Sequence, residues 1–351
     1  MRLGLSMGHW GRDGGTEPLR LALEAERLGY DVVWASEAYG SDAVTVLSWL
    51  AGRTTRIGLG SAVMQIPART PAMTGMTAAT LDTLSEGRFH LGLGVSGPQV
   101  SAGWHGVEFG RPLARTREYI DVVRAVVRRE RVRHEGEHYP LPLPGPDGSP
   151  GKPLQLIIHP VRAEIPVYLA AVGPRNIRLA GETADGWLAL FHAPSHADDN
   201  LAQLREGRGE RGLDGFDVVA SLPVSVGDDL DACADRVRDY AALYVGGMGS
   251  REKNFYNTQA SSMGYEKEAR TVQDLYLSGD PKGAAAEVPF GFIDETSLLG
   301  PVDRIADRLA AFAASGVTTL SVIPYGDTHE AKAAALANVA EALNRATIQG
   351  S

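Results

Sequence analysis

The segment from Ile57 to Gly97, IGLGSAVMQIPARTPAMTGMTAATLDTLSEGRFHLGLGVSG, constrains the fold more than any other part of the chain. Its two ends, residues 57–64 and 89–94, are too apolar to carry a wet face, as befits strands of a parallel sheet covered on both sides. Between them Thr70 can cap a helix with Pro71 at its first position, and Gly87 stands just past its end. Polar chemistry is confined to the residues just after each strand, at 65–70 and at 95–99. An α/β barrel builds its site in this way, from loops at the carboxyl ends of its strands.

The same unit recurs along the chain. Strand patterns lie at 2–6, 31–34, 57–64, 89–94, 166–171, 186–190, 218–226 and 318–323. Helical patterns come after them at 17–28, 42–53, 71–84, 114–129, 175–183, 197–210, 230–244 and 329–345, with a further helix at 302–315 before the last strand. Gly29, Gly87 and Gly316 end helices just before strands, as C-cap glycines do. Alternation that closes at eight predicts the α/β class and a (βα)8 TIM barrel. A length of 351 residues suits one barrel of about 250 residues with insertions.

Two segments break the period. Residues 131–165 are rich in Pro and Gly, and the alternating pieces 137–141 and 154–159 are expected to pair as a hairpin. Residues 246–299 hold Gly-Met-Gly, a charged stretch at 266–270 and a Gly-Asp-Pro turn at Gly279. Loops this long in a compact fold serve as lids, interfaces or disordered arms. No linker divides the chain, so both are read as excursions from a single domain spanning 1–351.

Composition removes several function classes. The net charge of −9 offers no basic groove for nucleic acid and no attraction to an anionic membrane. Cys233 is the sole cysteine, which excludes intrachain disulfides and cysteine-based metal sites; it is expected to be a small core residue on a helix. No apolar run reaches the roughly 18 residues of a membrane span, and no signal peptide precedes the first strand, so the expected compartment is the cytoplasm.

Gly92-Leu-Gly94-Val-Ser-Gly97 satisfies the dinucleotide pattern G-x-G-x-x-G, but a Rossmann turn must open directly into a helix. Here a polar, aromatic loop (SAGWHG) comes next, and no helix is expected before Pro112. The glycines instead read as a tight loop at the top of a barrel strand, where backbone can approach a flat ligand. In LAAVGPRN, residues 169–176, small residues end the fifth strand and Gly173-Pro174 opens a helix. Its free N–H groups with Arg175 and Asn176 form either an anion seat or an ordinary strand–helix joint, and the residues alone leave both open.

Common barrel chemistries lack their parts. His9 is solitary, where a metallohydrolase would show His-x-His. Lys152, Lys253, Lys267, Lys282 and Lys332 all fall in loops or on helices, so no strand-borne lysine can form a Schiff base. Only Glu37 is well placed among carboxylates, too few to hold Mg²⁺, and no G-x-S-x-G elbow is present. With few fixed acids, bases or metal ligands at the mouth, the hard chemistry falls to a bound cofactor.

Residues 57–97, SGPQVSAGWHGVEFG running to Gly110, LAAVGPRN and AGETADGW together resemble the bacterial luciferase-like flavin and deazaflavin oxidoreductases. The likeness is strongest to the branch that uses the deazaflavin coenzyme F420, which includes methylene-tetrahydromethanopterin reductase and F420-dependent glucose-6-phosphate dehydrogenase. It covers residues 1–190 well and 300–323 again, but not 246–299. The resemblance implies a luciferase-like (βα)8 barrel and a non-prolyl cis peptide within Gly60-Ser61-Ala62-Val63, between Ala62 and Val63. It implies that this bulge backs the deazaflavin ring, with Glu37 contacting the ring system and serving as the one weak catalytic candidate. Gly94, Val95 and Ser96 would line ring and ribityl chain, and Ala171, Gly173, Arg175 and Asn176 would hold the phosphate.

One departure bears on substrate. In the sugar-phosphate enzymes a histidine stands after the acidic position, whereas here the pair is Glu37-Ala38, which speaks against sugar phosphate. His9, Trp10, Tyr39, Trp104 and His192 are the substrate-pocket candidates. The expectation is an F420-dependent oxidoreductase moving a hydride between deazaflavin C5 and a small organic substrate, as a cytoplasmic homodimer without metal. The alternatives are an FMN-dependent monooxygenase using O2 and a non-catalytic flavin-binding barrel.

Overall fold

The computed structural model describes residues 1–8 and 15–349, the last three of these by their backbone alone. Its strands are β1 (Arg2–Ser6), β2 (Val32–Ala35), β3 (Gly58–Ser61), β4 (Met64–Gln65), β5 (Phe89–Gly94), β6 (Val167–Ala170), β7 (Gly186–Leu190), β8 (Asp217–Val226), β9 (Leu298–Gly300) and β10 (Thr319–Pro324). All pair in parallel, in the order β10-β1-β2-β3-β5-β6-β7-β8, and β10 pairs with β8 to close the barrel. β4 continues the third barrel strand and pairs with the end of β5. The TIM barrel expected from the alternation is therefore present, with helices around it such as Pro71–Leu84, capped by the Thr70 side chain as its sequence predicts.

The barrel interior is plugged by aromatic side chains for which glycines make room. Trp34, His90 and Tyr168 pack with ring centroids 5.1–6.0 Å apart. A Cβ at Gly60 would lie 2.2 Å from the Trp34 ring, and one at Gly186 would lie 2.4 Å from Tyr168. At the amino end of the barrel Asp217 accepts hydrogen bonds from Tyr168 and Thr319 and pairs with Arg2, so the lower plug is also satisfied electrostatically. The interior is thus a packed core rather than a pore, and ligand space exists only above it.

Both excursions depart from expectation. In 131–165 the backbone pairing is a single antiparallel bridge, His134 with Leu141, and Val132 N–H donates to Leu154; 137–141 does not pair with 154–159. The cause is local. The Glu118 carboxylate accepts the N–H groups of Glu137, His138 and Tyr139, so those donors are spent on a side chain. The segment 246–299 is neither a bare loop nor an arm. It folds into the helices Phe255–Ala260, Glu266–Leu277, Pro281–Ala286 and Phe290–Glu295. These form a cap with its own apolar cluster around Val237, Met263, Val272 and Phe292, where Cys233 is fully buried as expected. The cap is tied to the barrel by β9, which pairs with the last residues of the long strand β8. A third departure is the short helix Pro98–Gly103, which opens straight after Gly97 where no helix was expected before Pro112. The barrel is nonetheless closed, which excludes a Rossmann sheet. Among the described residues no helix is long and apolar enough to cross a membrane.

Candidate active site

The loops at the carboxyl ends of the barrel strands and the cap enclose a cavity of about 1050 Å³. This is at the upper end of the range in which ligand sites fall. Its floor is made by Ala62, Val63, Ala170, Leu188 and Ser221. Directly beneath them sit Trp34 and Tyr168 of the plug. The floor is therefore backed by packed aromatic side chains.

The peptide between Ala62 and Val63 is cis, at the position the resemblance implied. The neighbouring strand is shaped to receive this bulge. A Cβ at Gly92 would lie 1.8 Å from the Ser61 carbonyl oxygen, and one at Gly94 would lie 2.5 Å from Val63. These glycines first clear room for a neighbouring strand, and only Gly94 also lines the cavity. Ser61 is fully buried and does not line the cavity; its hydroxyl donates to the Gly92 carbonyl at 2.8 Å and accepts from the Gly92 N–H at 2.9 Å. It locks β3 to β5. Val95 and Ser96 line the cavity, and Ser96 has φ +60°, a left-handed conformation that costs a non-glycine residue on the order of 1–3 kcal/mol.

Glu37 lies on the cavity wall with its carboxylate fully engaged. Arg69 donates to both oxygens, at 2.6 and 3.0 Å, and the N–H groups of Ala43 and Gln65 donate at 3.1 and 3.5 Å. Burial alone would lower the pKa of Arg69; the pairing with Glu37 reverses this and leaves it raised. The pair joins the loop after β2 to the loop after β4.

At the end of β6, Ala171 and Asn176 line the cavity, while Gly173 and Arg175 are exposed and do not. Trp187 donates to the Ala171 carbonyl at 2.9 Å and so holds this corner. Gly173, with φ +81°, turns the chain into the helix Pro174–Thr183, whose first-turn Arg175 N–H has no intrahelical acceptor. The Asn176 Oδ1 atom is buried without a hydrogen-bond partner. A buried polar atom left over at a cavity wall can be completed by water or by a polar group of a ligand.

The substrate-pocket candidates divide. Tyr39 lines the mouth and is 61% exposed. Trp104 is 66% exposed and does not line the cavity, because the helix Pro98–Gly103 turns it outward. His192 is also displaced: it is 1% exposed, outside the cavity and packed between Trp187 and Phe312, where burial lowers its pKa to about 4. His9 and Trp10 lie outside the described residues, although the flanking Gly8 and Gly15 line the cavity.

Two features were not foreseen. Gln65 lines the cavity, and His105 rather than Trp104 reaches into this region, with its Nε2 2.7 Å from Gln65 Oε1. The second is a wall of tyrosines, Tyr240, Tyr244, Tyr256 and Tyr325, which line the same cavity. Tyr240 and Tyr244 come from the end of the helix Leu230–Ala242 and the wider turn that succeeds it. Asn254 caps Phe255–Ala260 and also donates to the Tyr244 and Val245 carbonyls, which sets Tyr256 against Tyr244 at a centroid distance of 4.9 Å. Tyr325 is placed by its N–H bond to Val224 at the end of β8. Phe191 stands behind the wall, 5.7 Å from Tyr240 and from Tyr244. Burial pushes the pKa of Tyr256 up to about 12 and those of the other three upward, so all four are neutral hydroxyls near pH 7. Among the described residues no group of three or more His, Cys, Asp or Glu side chains could hold a metal ion.

Comparison with known proteins places this architecture. The model of the family described as luciferase-like monooxygenase matches residues 6–319. The Mycobacterium tuberculosis protein named "Putative coenzyme F420-dependent oxidoreductase Rv3520c" is 44% identical over 329 residues, covering 92% of this chain and 94% of that one. The 5,10-methylenetetrahydromethanopterin reductase of Archaeoglobus fulgidus is 28% identical over 297 residues, covering 84% of this chain and 85% of that one. Among solved structures, the coenzyme F420-dependent tetrahydromethanopterin reductase of Methanopyrus kandleri superposes with a TM-score of 0.81 at 23% identity, over 97% of each chain, and so shares the fold. With a closed barrel, a bulged third strand and a match across nine-tenths of its length, this chain belongs to the luciferase-like monooxygenase family.

Proposed function

We propose that this protein is an F420-dependent oxidoreductase that moves a hydride between the deazaflavin and a small organic substrate. The observation that carries the reading is the fit of the cavity. A cavity of about 1050 Å³ with Ala62, Val63 and Ala170 in its lining has room for a tricyclic ring, and an uncompleted polar corner at Asn176 stands beside a helix N-terminus. The printed names of the relatives at 44% and 28% identity support the same cofactor. When bound, F420 supplies a two-electron hydride carrier at C5.

The chain's own residues then have plain tasks. Ala62 and Val63 support one face of the ring, and Gly94, Val95 and Ser96 flank it. Ala171 and Asn176 receive the phosphate from the wall, and Gly173 and Arg175 complete the seat from the rim. Ser61 acts on the ring only through the strand it locks. Glu37, with every acceptor direction used, positions the loops and is not a proton carrier. The plug and cap exclude water, which is what hydride transfer needs from a protein.

The test is titration of the purified apoprotein with F420 and, separately, with FMN, monitored by fluorescence or calorimetry. Micromolar or tighter F420 binding with weak FMN binding is expected. Submicromolar FMN binding without F420 binding would favour an oxygen-dependent monooxygenase. Tight F420 binding without turnover of any reductant or oxidant would favour a carrier. We further read the chain as one domain and as a cytoplasmic homodimer. Trp49, Met73, Met76 and Leu84 stand exposed on the neighbouring helices Ala43–Ala51 and Pro71–Leu84, an apolar face suited to a second copy. A monomer by light scattering at micromolar concentration would remove the dimer.

A further inference from the structure

We infer that the tyrosine wall is a substrate subsite for uncharged, largely apolar molecules that carry one hydroxyl or carbonyl group, bound through the ring faces and through the hydroxyls of Tyr256 and Tyr325. This deepens the F420 reading and rests on it for the reaction, but not for the binding.

Three observations converge. The first is charge. The ionic groups on the inner wall are already paired: Glu37 with Arg69, and Glu17 with Lys332 at 2.8 Å. Arg236 and Asp239 also border the cavity, but both are exposed and lie three residues apart with opposite sign. An anionic substrate pushed against this wall would lose its hydration and find no unpaired buried counter-charge among the described residues. The second is shape. Tyr240, Tyr244 and Tyr256 meet at centroid distances of 4.8 and 4.9 Å and are backed by Phe191 and Phe292, so they present a continuous aromatic surface. The third is bonding. Among the described residues neither the Tyr256 nor the Tyr325 hydroxyl has a hydrogen-bond partner, and both side chains line the cavity. Their burial keeps them protonated, and each can donate to a substrate oxygen.

The wall and the Ala62–Val63 floor line the same cavity, so a molecule held by the tyrosines shares it with the ring. Tyr240, Tyr244 and Tyr325 of the wall come from the last units of the barrel, and the cap segment adds Tyr256.

The test uses the full-length protein without cofactor and three fluorescent probes that share one ring system: naphthalene, 2-naphthol and 2-naphthyl phosphate. We expect 2-naphthol to bind roughly tenfold or more tightly than the phosphate ester. Tyr256→Phe and Tyr325→Phe should each weaken 2-naphthol roughly three- to tenfold and leave naphthalene unchanged, since they remove one hydrogen bond and no ring. Equal or tighter binding of the phosphate ester that persists in Asn176→Asp, and so does not use the phosphate corner, overturns the substrate class. A preference for 2-naphthol that neither substitution alters overturns the role of the hydroxyls. Titration with F420 in parallel separates the two readings. Loss of F420 binding with the probe pattern intact removes the cofactor assignment and keeps the subsite, whereas F420 binding with the pattern absent removes the subsite alone.

Discussion

Replacing Arg69 by methionine would leave the Glu37 carboxylate in place with its strongest partner gone. Its side chain is 6% exposed, so it cannot turn to water for compensation, and the two backbone N–H donors that remain carry no net charge. Breaking a buried ion pair from one side costs about 3–5 kcal/mol, and the 18% exposure of Arg69 places this pair at the low end, near 3 kcal/mol. With about 2.1 cal/mol/K of unfolding entropy per residue, 351 residues give roughly 0.74 kcal/mol/K, so Tm should fall by about 4 °C. Glu37→Gln keeps the shape and should cost about 2 kcal/mol. The double variant should cost no more than the worse single one, which makes the coupling about 2 kcal/mol in a denaturant-monitored cycle. Because the pair joins two loops at the cavity wall, F420 affinity should fall in both single variants and recover partly in the double. Additive stability losses within about 0.5 kcal/mol would show that Glu37 and Arg69 do not act as a unit.

Buried histidines, a crowded glycine and the corner at Asn176 can each be probed in turn. His90 and His192 are buried neutral with pKa values lowered to about 4, so acid favours the unfolded chain, in which histidine binds a proton near 6.5; stability is full above about pH 6.5 and falls as pH drops toward 4. Linkage gives roughly 2.5 kcal/mol per histidine at about pH 4.5, and His192→Phe should remove its share of the loss when urea midpoints at about pH 4.5 and 7 are compared. Gly92→Ala places a methyl group 1.8 Å from a backbone oxygen and should destabilise by at least the roughly 1–3 kcal/mol of ordinary overpacking; a urea midpoint unchanged from wild type would mean the third strand is freer than drawn. Asn176→Asp sets a negative charge at the corner assigned to phosphate and should weaken F420 binding roughly tenfold or more by calorimetry, with an unchanged affinity refuting the assignment.

The barrel was readable because its signals are local and repeated. Apolar runs recur at each βα unit, helped at several by proline starts and glycine stops, and the strand at 89–94 and the helix at 71–84 match to the residue. The motif glycines were readable as positions but not as causes. Gly92 and Gly94 answer to Ser61 and Val63 on another strand, a contact that no spacing encodes. The helix Pro98–Gly103 is under two turns long, too short to show a period, and it reverses the parts of Trp104 and His105. His192 comes just after a strand end, which suggests a mouth residue. Yet Phe191 adopts φ +50° and its carbonyl is bound by Gln259 of the cap, and the imidazole lies between Trp187 and Phe312. The tyrosine wall was invisible for a different reason: its members come from three elements that meet only after the cap has folded.

Strand β8 runs for ten residues, and its last three hold Leu298–Gly300, Val224 while still paired with Pro324 of the barrel and Ser225 and Val226 beyond it. Two separately packed bodies therefore share one continuous piece of backbone, and one side of the chamber, at Met248, Gly249, Phe255 and Tyr256, is carried by the body outside the repeat. An exchange of that body for another, spliced at the same strand end, would alter which molecules are admitted while leaving the barrel floor undisturbed. Selection can thus revise substrate choice without reopening the problem of holding the coenzyme.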